Sequence, residues 1–150
     1  EKGNPGELSG LIRYEAGNIL GEISENRKNG IFGTMEASQL KNMNLEKVPI
    51  GYKQDLKTGP ASVFCCTDGE VKEYAAEITR IDLNHEDSNK SFVIQITDKE
   101  LLEKTGGIVQ GMSGSPVLQN GKLFGAVTHV FVQDSTSGYG IFIENMMDVA

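Results

Sequence analysis

Residues 111–116 read Gly111-Met112-Ser113-Gly114-Ser115-Pro116 and run on into Val117-Leu118-Gln119-Asn120-Gly121-Lys122-Leu123-Phe124-Gly125-Ala126-Val127-Thr128. Glycine reaches backbone angles closed to other residues and lets another chain approach closely. A serine framed by glycines can therefore stand on a tight turn with its Oγ exposed. A nucleophilic serine needs that exposure, a general base within reach, and backbone N–H groups converging on the developing oxyanion. On this reading Ser113 attacks, and the N–H groups of Gly111 and Ser113 form the oxyanion hole. Pro116 opens the next strand, where a missing N–H is tolerated. Asn120-Gly121 supplies the positive φ angles of a hairpin turn, so Val117-Leu118 and the strand Leu123 to Val132 pair.

Working outward, the chain breaks into short apolar runs separated by Gly, Asn, Asp and Lys, the texture of an all-β domain. Asn18 to Ser24 and Ile31 to Glu36 flank Arg27-Lys28-Asn29-Gly30 and form a second hairpin. Ser38 to Asn44 holds at most one helical turn. Val48 to Lys53 and Ala61 to Thr67 are expected strands, with Thr58-Gly59-Pro60 turning between them. Asp68-Gly69 turns the chain into a long strand, Val71 to Leu83. Asn84 to Lys90 is polar throughout and is expected as an exposed loop, followed by a strand at Ser91 to Thr97. Thr97 or Asp98 caps a short helix over Lys99 to Lys104, which Thr105-Gly106-Gly107 stops. Asp134 to Gly138 is a loop, Tyr139 to Ile143 a strand, and Glu144 to Val149 a C-terminal helix.

With 150 residues the chain fits one domain with a real core. A formal charge of −7 argues against a nucleic-acid partner, which calls for a basic patch. No apolar run approaches the roughly 20 residues that span a bilayer, so the chain is expected to be soluble. It begins at Glu1 rather than Met, as a processed piece does, with any targeting segment upstream. Cys65 and Cys66 are adjacent on an expected strand and point to opposite faces, which disfavours a disulfide between them. Neither has the partners a metal site needs, and no metal or organic cofactor is expected.

The hairpin after Pro116, the segment Gly138-Tyr139-Gly140-Ile141-Phe142-Ile143-Glu144 and the helix from Asn145 to Ala150 stand in the order of the closing half of the trypsin family. Together with Thr105-Gly106-Gly107-Ile108-Val109-Gln110, Gly125-Ala126-Val127-Thr128-His129-Val130-Phe131 and Thr136-Ser137-Gly138-Tyr139-Gly140, the nucleophile turn resembles the stage IV sporulation protein B serine peptidases of endospore-forming bacteria. The resemblance runs through nearly the whole chain and is most specific after Ile94. It implies a trypsin-like β-barrel serine peptidase fold, with residues 1–150 forming the second barrel and part of the first. It also implies a membrane-anchored endopeptidase in the space between forespore and mother cell. That enzyme cleaves itself and a membrane-bound regulator of an intramembrane protease, which triggers late sigma-factor processing.

The family's serine matches Ser113 and its proposed catalytic aspartate matches Asp98. Its histidine lies in a Gly-Ala-Leu-Gly-His segment that has no counterpart here, so the 150-residue chain alone is expected to be inactive. His85 has the His-Asp-Ser chain order but sits in the most polar loop, as a solvated side chain does. His129 lies on the expected edge strand Thr128 to Val130, which in trypsin-like enzymes pairs with the substrate backbone. Thr128, His129 and Val130 are thus the substrate-binding candidates, with His129 either facing substrate or packed on a neighbour. Asp98 is equally readable as a triad carboxylate or as a helix cap. Gly106 and Gly107 fall where these enzymes build the primary specificity pocket. No acidic residue lies between Thr105 and Met112, which argues against a preference for Lys or Arg. A peptidase-like module that binds a peptide without cutting it is the alternative reading; acyl transfer through the same serine is a third.

Overall fold

A computed structural model describes residues 15, 17, 19–41, 45–84 and 87–147. The strands β3 (Gly59–Cys66), β4 (Val71–Ile81), β5 (Phe92–Ile96), β6 (Pro116–Gln119), β7 (Lys122–Val130) and β8 (Ser137–Phe142) close into an antiparallel barrel of order β3-β4-β5-β8-β7-β6. Closure comes from Ser62 pairing with Leu118 and Val63 with Val117. Outside it, β1 (Gly21–Arg27) and β2 (Gly30–Met35) form a separate two-stranded hairpin. The helices are α1 (Ala37–Leu40), α2 (Lys99–Thr105) and α3 (Ile143–Met147).

The alternation read from the sequence sorts side chains between barrel interior and solvent. On β4, Tyr74, Ala76 and Ile78 turn inward while Glu73, Ala75 and Glu77 face out. Val63, Ile94, Val117 and Val127 meet them from other strands, and Phe92 and Phe142 lie with ring centroids 5.6 Å apart. Two of the polar side chains that reach the interior are bonded there, where an unpaired group is costly: the Tyr74 hydroxyl lies 2.7 Å from Thr67 Oγ1, and Gln119 donates to the carbonyls of Lys57 and Pro60. Cys65 faces the core and Cys66 faces out, both as free thiols. Burial, and secondarily a neighbouring thiolate at Cys66, pushes the Cys65 pKa up.

Three local expectations are corrected. Val48 to Lys53 is not a strand: it touches the barrel at one parallel bridge, Ile50 to Leu123, where Gly51 N–H donates to the Leu123 carbonyl. Thr58-Gly59-Pro60 is not a separate turn, because Gly59 and Pro60 already pair with Ile78 and Glu77 as the start of β3. Proline is tolerated there because β6 reaches β3 only at Ser62 and Val63. The polar run before β5 is half-buried from residue 87 onward, with Asp87 capping a 3₁₀ turn over Ser88–Lys90. The Asn120-Gly121 turn forms as read, at φ 52° and 73°. The first hairpin closes through Lys28-Asn29, with Arg27 opposite Gly30.

Candidate active site

The turn between α2 and β6 is anchored from inside and exposed outside. Met112 is buried in the barrel core; its N–H donates to the Val109 carbonyl, and its own carbonyl accepts from Ser115 N–H. With that residue pinned inward, Ser113 is turned out to solvent. Gly111 and Gly114 take φ of 95° and 90°, a region that favours glycine. A Cβ on Gly114 would meet nothing within 4 Å, so backbone conformation rather than space calls for glycine there. The turn is tied to β7: Gly114 N–H donates to the Val127 carbonyl at 2.8 Å, and Val127 N–H to the Ser115 carbonyl at 3.0 Å.

Ser113 Oγ donates to the Thr128 carbonyl at 3.0 Å. The N–H groups of Gly111 and Ser113 have no acceptor among the described residues. They are donors on an exposed turn beside the hydroxyl, available to an incoming oxygen.

Strand β7 pairs with β8 as far as Val130 but with β6 only as far as Ala126. Among the described residues, only the Ser113 turn meets its other edge from Thr128 onward. The register slips between Val127 and His129, and the Thr128 hydroxyl turns inward toward the carbonyls of Asn89 and Tyr139. Thr128 therefore offers the open edge its carbonyl rather than its side chain, while His129 and Val130 are exposed.

A cavity of about 260 Å³ opens at Ser113 between Thr128, Asn89 and the Lys28-Asn29-Gly30 turn of the first hairpin. Asn29 latches that turn to the barrel: its Nδ2 donates to the Asn145 carbonyl, and its Oδ1 accepts from Ser88 Oγ. No spacing in the sequence marks Asn29, Asn89 or Met146 as cleft residues. They meet only because the hairpin turn, the 3₁₀ turn and α3 converge in space.

His129 lies beside Thr128 on the open edge, yet the Ser113 hydroxyl is bonded to a carbonyl rather than to an imidazole. His85 lies outside the described residues. Asp98 is the N-cap of α2: its carboxylate accepts from Leu101 N–H at 3.1 Å and from Ala75 N–H at 3.2 Å. The bond from Leu101 foremost holds its pKa below the usual carboxylate value. It follows the far end of β5, whereas Asn89 and the Ser113 cavity stand at the near end, and it does not line that cavity. Ser113, Thr128 and His129 are thus brought together, and Asp98 is not brought to them. Among the described residues no cluster of three or more His, Cys, Asp or Glu could hold a metal ion. No helix there is long and apolar enough to cross a membrane.

The barrel is that of the trypsin-like β-barrel serine peptidases. The active form of the Rv3671c protease from M. tuberculosis superposes with a TM-score of 0.60 at 16% identity, covering 85% of this chain and 55% of that one. Its inactive form gives 0.56 at 14% identity, with 85% and 64% covered. No curated protein matches the sequence. The chain belongs to the SpoIVB peptidase S55 family, whose model matches residues 1–147.

Proposed function

We propose that this chain carries the nucleophile and substrate edge of a serine endopeptidase, with Ser113 as the attacking residue. The observation that carries the reading is the turn itself. Its hydroxyl is exposed and its neighbour Met112 is locked in the core. Two unengaged N–H groups flank it, and the open edge of Thr128–Val130 begins 3.0 Å from its Oγ. A substrate strand paired along that edge would deliver its carbonyl to Ser113. Oγ adds to the carbonyl carbon as a general base takes its proton, and the N–H groups of Gly111 and Ser113 stabilise the oxyanion. Collapse expels the amine, which takes the proton, and water then hydrolyses the acyl-serine ester.

The base is a histidine supplied from beyond these 150 residues, upstream in a longer protein or from another chain, because the family's Gly-Ala-Leu-Gly-His segment has no counterpart in them. The 150-residue chain by itself therefore binds peptide without cutting it. The backbone bonds held by Asp98 favour its role as a helix cap over that of a triad carboxylate. Family membership supports a finer assignment: an endopeptidase of sporulation signalling, anchored to a membrane facing the forespore intermembrane space. Its substrates are then itself and a regulator of an intramembrane protease. A peptide-binding module without catalysis is the competing reading, favoured by one observation, the resting bond from Ser113 to a carbonyl. In the longer protein, Ser113→Ala is expected to abolish self-cleavage with the fold intact, since losing a triad serine costs on the order of 10⁶ in turnover. Self-cleavage within about tenfold of wild type, followed by mass spectrometry, would remove Ser113 from the chemistry.

A further inference from the structure

The chain leading into the nucleophile turn is drawn close to the connection between β7 and β8. Ile108 N–H donates to the Ser135 carbonyl at 2.7 Å, and Ser135 Oγ donates to the Gly106 carbonyl at 2.8 Å. Gly107 lies so near that a Cβ on it would stand 2.2 Å from the Ser135 oxygen. This stitching wedges the Ile108 side chain over Gly138, which pairs with Val130 across β7 and β8. The position of a Cβ on Gly138 is 2.9 Å from Ile108 Cδ1 and 2.4 Å from the His129 carbonyl oxygen. Ile108 is only 4% exposed and belongs to the barrel core.

A substrate strand laid along Thr128–Val130 alternates its side chains between two faces. The residue whose carbonyl meets Ser113 has its oxygen directed to the N–H groups of Gly111 and Ser113. Its side chain is then directed between the 107–112 segment, which leads into those donors, and the β7–β8 pair. That is where Ile108 sits. Cavities do open on either side of the strand edge, one at Ser113 and one of about 520 Å³ bordered by His129, Val132 and Tyr139. Neither is bordered by any residue from 106 to 112.

We infer that Ile108, packed on Gly138, makes this a peptidase for substrates with a small uncharged residue, Gly, Ala or Ser, at the position whose carbonyl is attacked. The inference rests on Ser113 being the nucleophile. A larger side chain would have to push a core isoleucine aside, and overpacking of that kind is costly. A cationic one would meet no carboxylate from the 105–112 segment, which contains no Asp or Glu.

The test uses the longer, active protein and peptides spanning its own mapped self-cleavage site, with Ala, Leu, Phe or Arg at the attacked position. Wild type is expected to show a kcat/KM for Ala at least ~100-fold above the other three, the scale a shaped pocket can reach. Ile108→Ala should narrow the Ala-to-Leu ratio at least ~10-fold, and the milder Ile108→Val should narrow it less. The wild-type profile decides without any variant. Leu, Phe or Arg peptides cleaved as fast as Ala would overturn the role of Ile108 while leaving Ser113 as nucleophile. Cleavage of the Ala peptide that survives Ser113→Ala would instead overturn the reading beneath it.

Discussion

The Ser113 hydroxyl donates its one proton to the Thr128 carbonyl, and that same carbonyl is the acceptor a substrate N–H on the open edge would use. Productive binding therefore has to free both groups at once, and a base must then replace the carbonyl as partner of Oγ. Asp98 is the residue where two chemistries compete. As a cap, Asn serves nearly as well as Asp, so Asp98→Asn should shift stability by less than ~0.5 kcal/mol. As a triad member its loss costs about 10⁴ in rate. The bonds to Leu101 and Ala75 lead us to expect full activity and near-wild-type stability, read by urea unfolding and peptide cleavage; a rate loss near 10⁴ would restore the triad role. The pKa of Asp98 is depressed in the folded chain. Its stabilisation is therefore present above the unfolded value, about 4, and is lost as pH falls through the lower folded value. Asp98→Asn should remove that part of the acid-side loss. Asp98 was legible as a cap from its place before Lys99-Glu100-Leu101. The sequence could not say where it stands relative to Ser113, because that depends on which end of β5 faces the cleft.

Strand pairing is where local signals served best and also where they failed. Asn120-Gly121 marked the β6–β7 hairpin because a two-residue turn needs positive φ at both positions, a demand met within the turn itself. Val48 to Lys53 misled because an apolar extended run becomes a strand only with a partner along its length, and here one bridge is all it has. Glycines inside strands carry information that periodicity does not. A Cβ on Gly125 would stand 1.8 Å from the Ile141 carbonyl oxygen, on the backbone of the neighbouring strand. Gly125→Ala should therefore destabilise the barrel by on the order of 1–3 kcal/mol or more, since backbone cannot step aside as a side-chain tip can. An unchanged urea midpoint would contradict that close approach. The Ser113 turn would suffer too, because β7 carries the carbonyls of Val127 and Thr128 to which it is tied.

At the scale of the whole molecule, the closed barrel and the β1–β2 hairpin are unequal partners. The barrel encloses a buried apolar core, whereas Ile23 and Ile31 on the hairpin are 64% and 63% exposed. Among the described residues, the hairpin is bonded to the rest at the cleft through its turn residue Asn29. The barrel and its nucleophile turn were readable because both depend on local rules of alternation and turn geometry. The cleft wall was not, because it joins residues 29, 89 and 146 across three elements. The 150-residue chain is expected to bind a peptide from the self-cleavage site by calorimetry without hydrolysing it, because backbone pairing along β7 needs no base. Turnover by that chain, lost on Ser113→Ala, would show that it carries its own base and would bring His129 forward. The most direct measurement of the central claim is covalent: the longer protein is treated with a fluorophosphonate and the modified residue is mapped by mass spectrometry. The adduct is expected on Ser113 and should vanish in Ser113→Ala. An actively cleaving protein whose label lands on another residue, or that takes no label, would contradict Ser113 as the nucleophile.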